Sequence, residues 1–147
     1  MKLSTRGRYG LRAVVDIAFY GQGKPQQIRK ISKRQEIPTR YLEQIFQRLK
    51  KAGIIKAIRG AKGGYYLGKD PSKISVADVV RVTDGPLTPV RCREYGRKDV
   101  LCHRAGSCVV KGVWDEAGRR LEEYLASVTI ADLCERAEAV EKRPEEE

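Results

Sequence analysis

Apolar residues recur at helical spacing through the first fifty positions, and the pattern then turns strand-like. Leu11, Val14, Val15 and Ala18 fall at i, i+3, i+4 and i+7, so a helix running from about Ser4 carries one apolar face, and Gly21 and Gly23 end it. The stretch QQIRKISKRQEIP turns Ile28 and Ile31 inward on a short second helix, which Pro38 stops near Ile37. In PTRYLEQIFQRLKKAG the set Leu42, Ile45, Phe46 and Leu49 repeats the same spacing, between a proline at the start and Gly53 at the end. The opposite face of this third helix holds Arg40, Tyr41, Gln44, Gln47, Arg48 and Lys51, with Glu43 as its acid. After Gly53, IIKAI and YYL are short β-branched or aromatic runs joined by RGAKGG, which predicts a hairpin with a basic tip.

The second half resumes the helical period with an interruption. SVADVVRVTDG puts Val76, Val79, Val80 and Val82 on one side of a short helix, and GPLTP ends it. The stretch CREYGRKDVLCHRAGSC, residues 92–108, has neither period and predicts an exposed loop. Beyond it Val110, Val113, Trp114, Ala117, Leu121, Tyr124, Leu125 and Val128 form a long stripe with little other chain to cover it. Two such helices from two subunits would bury each other, which predicts a homodimer; the alternative is that the stripe packs on the chain's own core. TIADLCERAEAVEK predicts a last helix before an acidic tail.

These elements describe a mainly α fold with a small β-hairpin wing. The expected divisions are a winged helix-turn-helix domain at 1–70, a connecting helix at 71–87, a cysteine loop at 88–108, a dimerisation helix and C-terminal helix at 109–143, and the tail at 144–147. In winged helix-turn-helix geometry the third helix enters the major groove and offers its early side chains to base edges. Thr39, Arg40, Tyr41 and Gln44 are the candidates there. Arg pairs in bidentate fashion with guanine and Gln with adenine, while Thr and Tyr reach phosphates. Arg59 at the wing tip suits a narrow minor groove, and Arg6, Gln27, Arg48 and Lys62 complete the candidate DNA-binding set.

Charge strengthens this reading. Residues 1–70 carry 17 Lys and Arg against 4 Asp and Glu, whereas residues 71–147 carry 13 against 15, so the net +11 comes entirely from the first half. A basic half joined to a near-neutral one points to a nucleic-acid-binding module attached to a regulatory or oligomerising part. The partner expected is double-stranded DNA, read as a palindromic operator by a dimer. The apolar run Ala13–Phe19 is broken by Asp16 and is too short to span a bilayer. It also lies among arginines with no small-residue cleavage site after it, so no membrane partner and a cytoplasmic location are expected. One histidine, no paired carboxylates and no nucleophile motif argue against an enzyme.

The cysteines are spaced Cys92-x9-Cys102-x5-Cys108, with Cys134 on the last helix. No C-x-x-C is present, which removes the usual zinc-ribbon and thioredoxin-like signatures. Three loop thiols still suit an iron–sulfur cluster, which takes four ligands at irregular spacing, or zinc. Arg91, Arg93, Arg97, Lys98 and Arg104 favour thiolates, and so support either metal binding or thiol redox chemistry. Cys134, between Leu133 and Glu135 on a helix, reads as a small core hydrophobe.

LSTRGRYGLRAVVDIA, IPTRYLEQIFQRLKKAGII, RGAKGGYYL and the three-cysteine loop followed by a tryptophan and VTIADL together resemble the IscR-type (Rrf-two) family of bacterial winged-helix regulators, nearly end to end. The resemblance implies a homodimeric DNA-binding transcription factor, often a repressor, in which a cluster bound by three cysteines tunes site choice. Those cysteines match Cys92, Cys102 and Cys108, with a 2Fe–2S cluster preferred over 4Fe–4S. The chain departs from the family at both familiar fourth-ligand positions, which hold Lys111 in place of a histidine and Arg8 in place of an aspartate. His103, Asp99, Glu94 or an exogenous ligand remain open. The rival readings are a metal-free regulator controlled by thiol oxidation or a partner protein, and an RNA-binding or adaptor protein.

Overall fold

Capping residues and αL turns set the ends of the helices in the computed structural model, which describes residues 3–90 and 102–142. Expectations about Cys92, Glu94, Asp99 and the acidic tail lie outside the described residues. Helix α1 spans Thr5–Gly21, α2 Ile28–Gln35 and α3 Thr39–Lys51; strands β1 (Ile55–Ile58) and β2 (Gly64–Leu67) follow, then a short 3-10 turn Pro71–Lys73, α4 (Val76–Asp84), α5 (Lys111–Ser127) and α6 (Ile130–Glu141). The Ser4 side chain accepts from the Gly7 amide at the start of α1. Ser75 with Asp78 and Thr129 with Asp132 build reciprocal capping boxes on α4 and α6. Glu36, at φ 54°, ends α2 in the left-handed region and turns the chain through buried Ile37 into α3.

The hydrophobic core is gathered from both halves of the chain. Ala13, Val14 and Ile17 of α1 meet Ile31, Ile37, Leu42, Ile45, Phe46, Leu49, Ile54 and Ile55, and Ile74, Val79 and Ile130 belong to the same cluster. Each fully buried Ile, Leu or Phe contributes about 1.5–3 kcal/mol. A smaller cluster of Val76, Val80 and Val128 takes in Leu11, Leu87, Leu125 and Leu133. The backbone joins these regions as well: the Val76 amide donates to the Val128 carbonyl and the Ile130 amide to the Ile74 carbonyl, each at 2.9 Å.

Helix α1 differs from its expected stripe. Ala13 and Val14 are fully buried and Ile17 nearly so, whereas Leu11, Val15 and Ala18 are only half-buried. The reason is that α1 is central, with α2, α3, α4, α6 and β2 packed around it, so no single stripe describes its contacts. Its tightest approach is to α4. A Cβ placed on Gly10 would lie 2.7 Å from Thr83 Cγ2, and one on Gly7 3.1 Å from Asp84 Oδ2. Asp84 also accepts from the Ser4 amide at 2.9 Å.

The wing is an antiparallel hairpin in the register Ile55↔Leu67, Lys56↔Tyr66, Ala57↔Tyr65 and Ile58↔Gly64. On its other edge Gln26 and Tyr65 exchange two backbone hydrogen bonds of 2.8 Å, which hold β2 to the residues leading into α2. Gly64 is required at that crossing: at φ 150° an added Cβ would sit 2.5 Å from the Gln26 carbonyl carbon. Helix α5 buries only Gly118, leaving Val113 60 % and Tyr124 60 % exposed, with Trp114 at 40 %. No helix among the described residues is long and apolar enough to cross a membrane.

A carboxylate lies inside this packing. Asp16 is 1 % exposed. It accepts from Arg34 Nη2 at 2.7 Å, Arg34 Nε at 3.0 Å and Gln35 Nε2 at 2.8 Å, so the end of α2 is locked to the middle of α1. Removing one partner of a buried pair leaves the other charge uncompensated, which costs about 3–5 kcal/mol. Because Arg34 reaches solvent with 26 % of its side chain, Asp16→Ala is expected to cost about 3 kcal/mol, read as a lower urea midpoint at unchanged slope.

Candidate nucleic-acid interface

Helix α3 is oriented by its buried side. Leu42, Ile45, Phe46 and Leu49 are each no more than 1 % exposed, and this sends Arg40, Gln44 and Arg48 outward, where all three are exposed. Thr39, the first residue of α3, is half-buried. Tyr41 is half-buried too. Its ring packs on the core and meets Tyr9 of α1 edge to face, with centroids 5.7 Å apart. The Arg12 guanidinium lies 5.6 Å from the Tyr9 centroid and donates to the Gln35 carbonyl. Tyr9 and Arg12 therefore support the start of α3 and the end of α2, a role the sequence pattern did not reveal.

The wing supplies Arg59 and Lys62, both exposed at its tip. Gln27 is exposed at the N-cap of α2 and donates through Nε2 to the Ala61 carbonyl at 3.2 Å. Pro25, Gln26, Gln27, Lys30, Lys62 and Gly63 line a notch of about 170 Å³ between α2 and the wing. Lys30 was not among the expected residues, because only the long-range Gln26–Tyr65 pairing brings it beside the wing. Arg6 is committed elsewhere: half-buried, it donates through Nε to the Thr83 carbonyl at the end of α4.

Electrostatics separates two surfaces. On α5, Lys111 pairs with Asp115, Arg119 with Glu116 and Glu123, and Arg120 with Glu116, while Arg81 of α4 bridges to Glu122. Arg119 and Arg120 hold the Glu116 carboxyl down to about 2. Among the described residues Arg40, Arg48, Lys50, Lys51, Lys56, Arg59 and Lys62 form no ion pair.

Three of the expected metal-site residues are described. Cys102 and His103 are exposed and Cys108 is half-buried, in a segment of turns closed by the Ala105 amide on the Cys102 carbonyl at 2.9 Å and the Ser107 amide on the Arg104 carbonyl at 3.0 Å. Both cysteines are free thiols. No group of three or more His, Cys, Asp and Glu side chains that could hold a metal ion occurs among the described residues. Two free thiols beside Arg104 and Lys111 nevertheless have the donor chemistry a thiolate-bound cluster uses. Cys134 is half-buried against the core; burial, and then the Glu138 carboxylate, push its thiol pKa up.

The family model of Rrf2, described as an iron-dependent transcriptional regulator, matches residues 3–136. The chain belongs to the Rrf2 family. It is similar to the HTH-type transcriptional regulator IscR of Photorhabdus laumondii, at 36 % identity over 96 % of this chain and 84 % of that protein. IscR of an Escherichia coli strain is 35 % identical over 96 % of this chain and 85 % of its own length. Among solved structures, T. potens IscR superposes with a TM-score of 0.78 at 34 % identity, covering 98 % of this chain and 93 % of that one. CymR of B. subtilis, titled the global cysteine regulator of that organism, gives 0.75 at 34 % identity over 92 % of this chain and 98 % of its own. The winged-helix architecture and the resemblance noted in the sequence are thereby established, and this Rrf2 protein is a transcriptional regulator and not an enzyme.

The thiols of this regulator differ in environment, and their chemistry should follow. A maleimide at neutral pH is expected to label Cys102 before Cys134. Because the Cys134 thiol titrates at higher pH, its labelling should gain more than an unperturbed thiol's as pH rises above neutrality. Mass spectrometry of the folded protein over a pH series checks both.

Proposed function

We propose that this Rrf2 regulator is a homodimeric repressor that reads a palindromic operator through α3 and the wing, with affinity set by an iron–sulfur cluster on Cys92, Cys102 and Cys108. The observation that carries the DNA contact is the row of cations on α3 and the wing that form no ion pair among the described residues, on a protein whose α5 cations are all paired. Exposed surface leaves such charge free to meet phosphates, where bound counterions are released. Arg40 and Gln44 are assigned to base edges, with Thr39 and Tyr41 beside them at the start of α3. Arg48 and Lys62 are assigned to phosphates and Arg59 to the minor groove. Arg6 and Gln27 complete the assigned set, each with a side-chain donor already used within the chain.

The uncovered stripe of α5 supports the dimer. Val110, Val113, Trp114 and Tyr124 are all exposed on the single chain, and a second copy would bury them while placing two α3 helices at two half-sites. Cys92, Cys102 and Cys108 would hold the cluster, with His103 the nearest candidate for a fourth ligand and a 2Fe–2S form preferred. The group would supply a redox-labile crosslink within the segment between α4 and α5. What the chain's own residues do is transmit it. Gly118 lets the Leu87–Pro89 segment lie against α5, with Pro89 Cδ 3.0 Å from where a Cβ would stand, and Arg81 ties α4 to Glu122 of α5. A shift of the loop would therefore move α5 relative to the DNA-binding helices and alter the separation of the two half-site readers.

A second reading rests on the exposure of the Cys102 thiol. The same regulator without metal would respond through oxidation of Cys102 and Cys108.

Protein purified without oxygen should be coloured and carry stoichiometric iron and sulfide, and Cys102→Ala should bleach it. Colourless protein that resists reconstitution, with operator binding that peroxide changes and reductant restores, would favour the second reading. Equal operator affinity of cluster-bound and apo dimers would rule out cluster control. For the interface, Arg59→Ala is expected to weaken binding mainly at operators with A·T-rich, narrow-groove flanks, measured by titrating paired duplexes that differ only there; uniform loss would make Arg59 a phosphate contact.

A further inference from the structure

Gln27 occupies the N-cap of α2, yet its side chain makes no cap hydrogen bond. Its amide instead reaches across the chain and donates to the Ala61 carbonyl. One residue earlier, Gln26 pairs with Tyr65 of β2 through both backbone hydrogen bonds. The wing is thus attached to the start of α2 at two points, one in the strand and one at the tip. Among the described residues Gln27 is the one side chain that hydrogen-bonds the tip. Arg59, Gly60, Ala61 and Lys62 are all exposed, Gly60 stands at φ 115° with nothing near its missing Cβ, and the turn is closed by the Gly63 amide on the Gly60 carbonyl at 3.0 Å.

We infer that Gln27 is a positioning residue for the wing tip: through Ala61 it fixes the direction in which Arg59 and Lys62 leave the body, so the groove contact of Arg59 is set from α2. The inference rests on the DNA-binding reading above and changes the role of Gln27 within it. One amide hydrogen is spent inside the protein, so the contribution of Gln27 to DNA binding passes through the wing. A wing tip already held in place loses less conformational freedom on binding, and that favours sites where Arg59 must enter a groove at a defined angle over sites where it meets only phosphate. The neighbouring notch adds to this. Lys30 and Lys62 line it together, so the latch also sets the spacing of two cations from different elements.

The test compares wild type with Gln27→Ala and Gln27→Glu, the latter keeping the length but facing the Ala61 carbonyl with acceptors only. Thermal melts establish that each variant is folded. The first readout needs no DNA: trypsin cleavage after Arg59 and Lys62, followed by mass spectrometry, should be roughly two- to tenfold faster in both variants, the range expected for losing one exposed hydrogen bond. Cleavage at sites outside the wing should be unchanged. The second uses duplexes selected by the wild type from randomised DNA, with the flanks made either A·T-rich or G·C-rich. Flank discrimination should shrink by a similar factor, while discrimination at the half-site centre, read by α3, stays. Unchanged cleavage after Arg59 and Lys62 in both variants overturns the latch, and so does an affinity loss equal on all duplexes with flank preference intact. If the wild type selects no DNA, the functional reading fails, and the cleavage comparison alone decides whether Gln27 holds the wing.

Discussion

The buried carboxylate of Asp16 is the constraint around which the first half of the chain is arranged. A charge taken out of water is tolerated only with full compensation, and Asp16 finds it in Arg34 and Gln35, both from the last turn of α2. This demand fixes where α2 ends relative to α1, and hence where the turn through Ile37 releases α3. The same guanidinium reaches further. Arg34 Nη2 donates to Gln26 Oε1 at 3.1 Å, beside the backbone pairing that holds the wing. It also lies 4.4 Å from the Tyr20 ring centroid, and the Tyr20 hydroxyl donates to Glu141 Oε1 at 3.1 Å near the end of α6. Through these groups one ion pair is linked to α1, α2, the wing and the end of α6.

Helix α4 is placed by a different device, the removal of side chains. Gly7 and Gly10 each carry the entropic penalty of glycine in a helix, and in exchange the end of α4 closes onto α1, where Thr83 and Asp84 fill the space. The Thr83 hydroxyl donates back to the Val79 carbonyl at 2.9 Å, so this buried side chain is satisfied within its own helix. Because Val79 and Ile74 share the main core with α1 and α3, a force on the segment after α4 acts on α3 through packed side chains, and close-packed contacts of this kind transmit displacement.

The charge distribution separates two surfaces. Helix α5 carries many ions, but they neutralise one another along the helix, leaving its apolar stripe as the uncompensated feature. Helix α3 shows the reverse, with Leu42, Ile45, Phe46 and Leu49 buried inside and, among the described residues, its cations and those of the wing forming no ion pair. A regulator that associates through one surface and binds a polyanion through another needs this separation, since mixing the two would weaken both.

The third helix was legible in the sequence because Leu42, Ile45, Phe46 and Leu49 share one buried face, and the hairpin because two short β-branched or aromatic runs flank a glycine-rich turn. The stripe of α5 was legible too, but it is divided: Val110, Val113, Trp114 and Tyr124 are exposed on the single chain, whereas Leu125 and Val128 pack with Val76 and Val80 of α4. Helix α1 was legible only in part, since a helix packed on several sides has no single stripe: of the expected Leu11, Val14, Val15 and Ala18 only Val14 is fully buried, and Ala13 and Ile17 join it in the core. Asp16 gave one signal, a charge inside an apolar run, but its partners lie on another helix. The sequence alone determined the element order, the separation of charge between halves and the spacing of the thiols, all local properties of the chain. Tertiary structure decided the lock of Asp16 on Arg34, the commitment of Arg6 to the Thr83 carbonyl and of Gln27 to the wing. Those depend on which distant groups the packed core brings within hydrogen-bond reach, and no local period carries that distance.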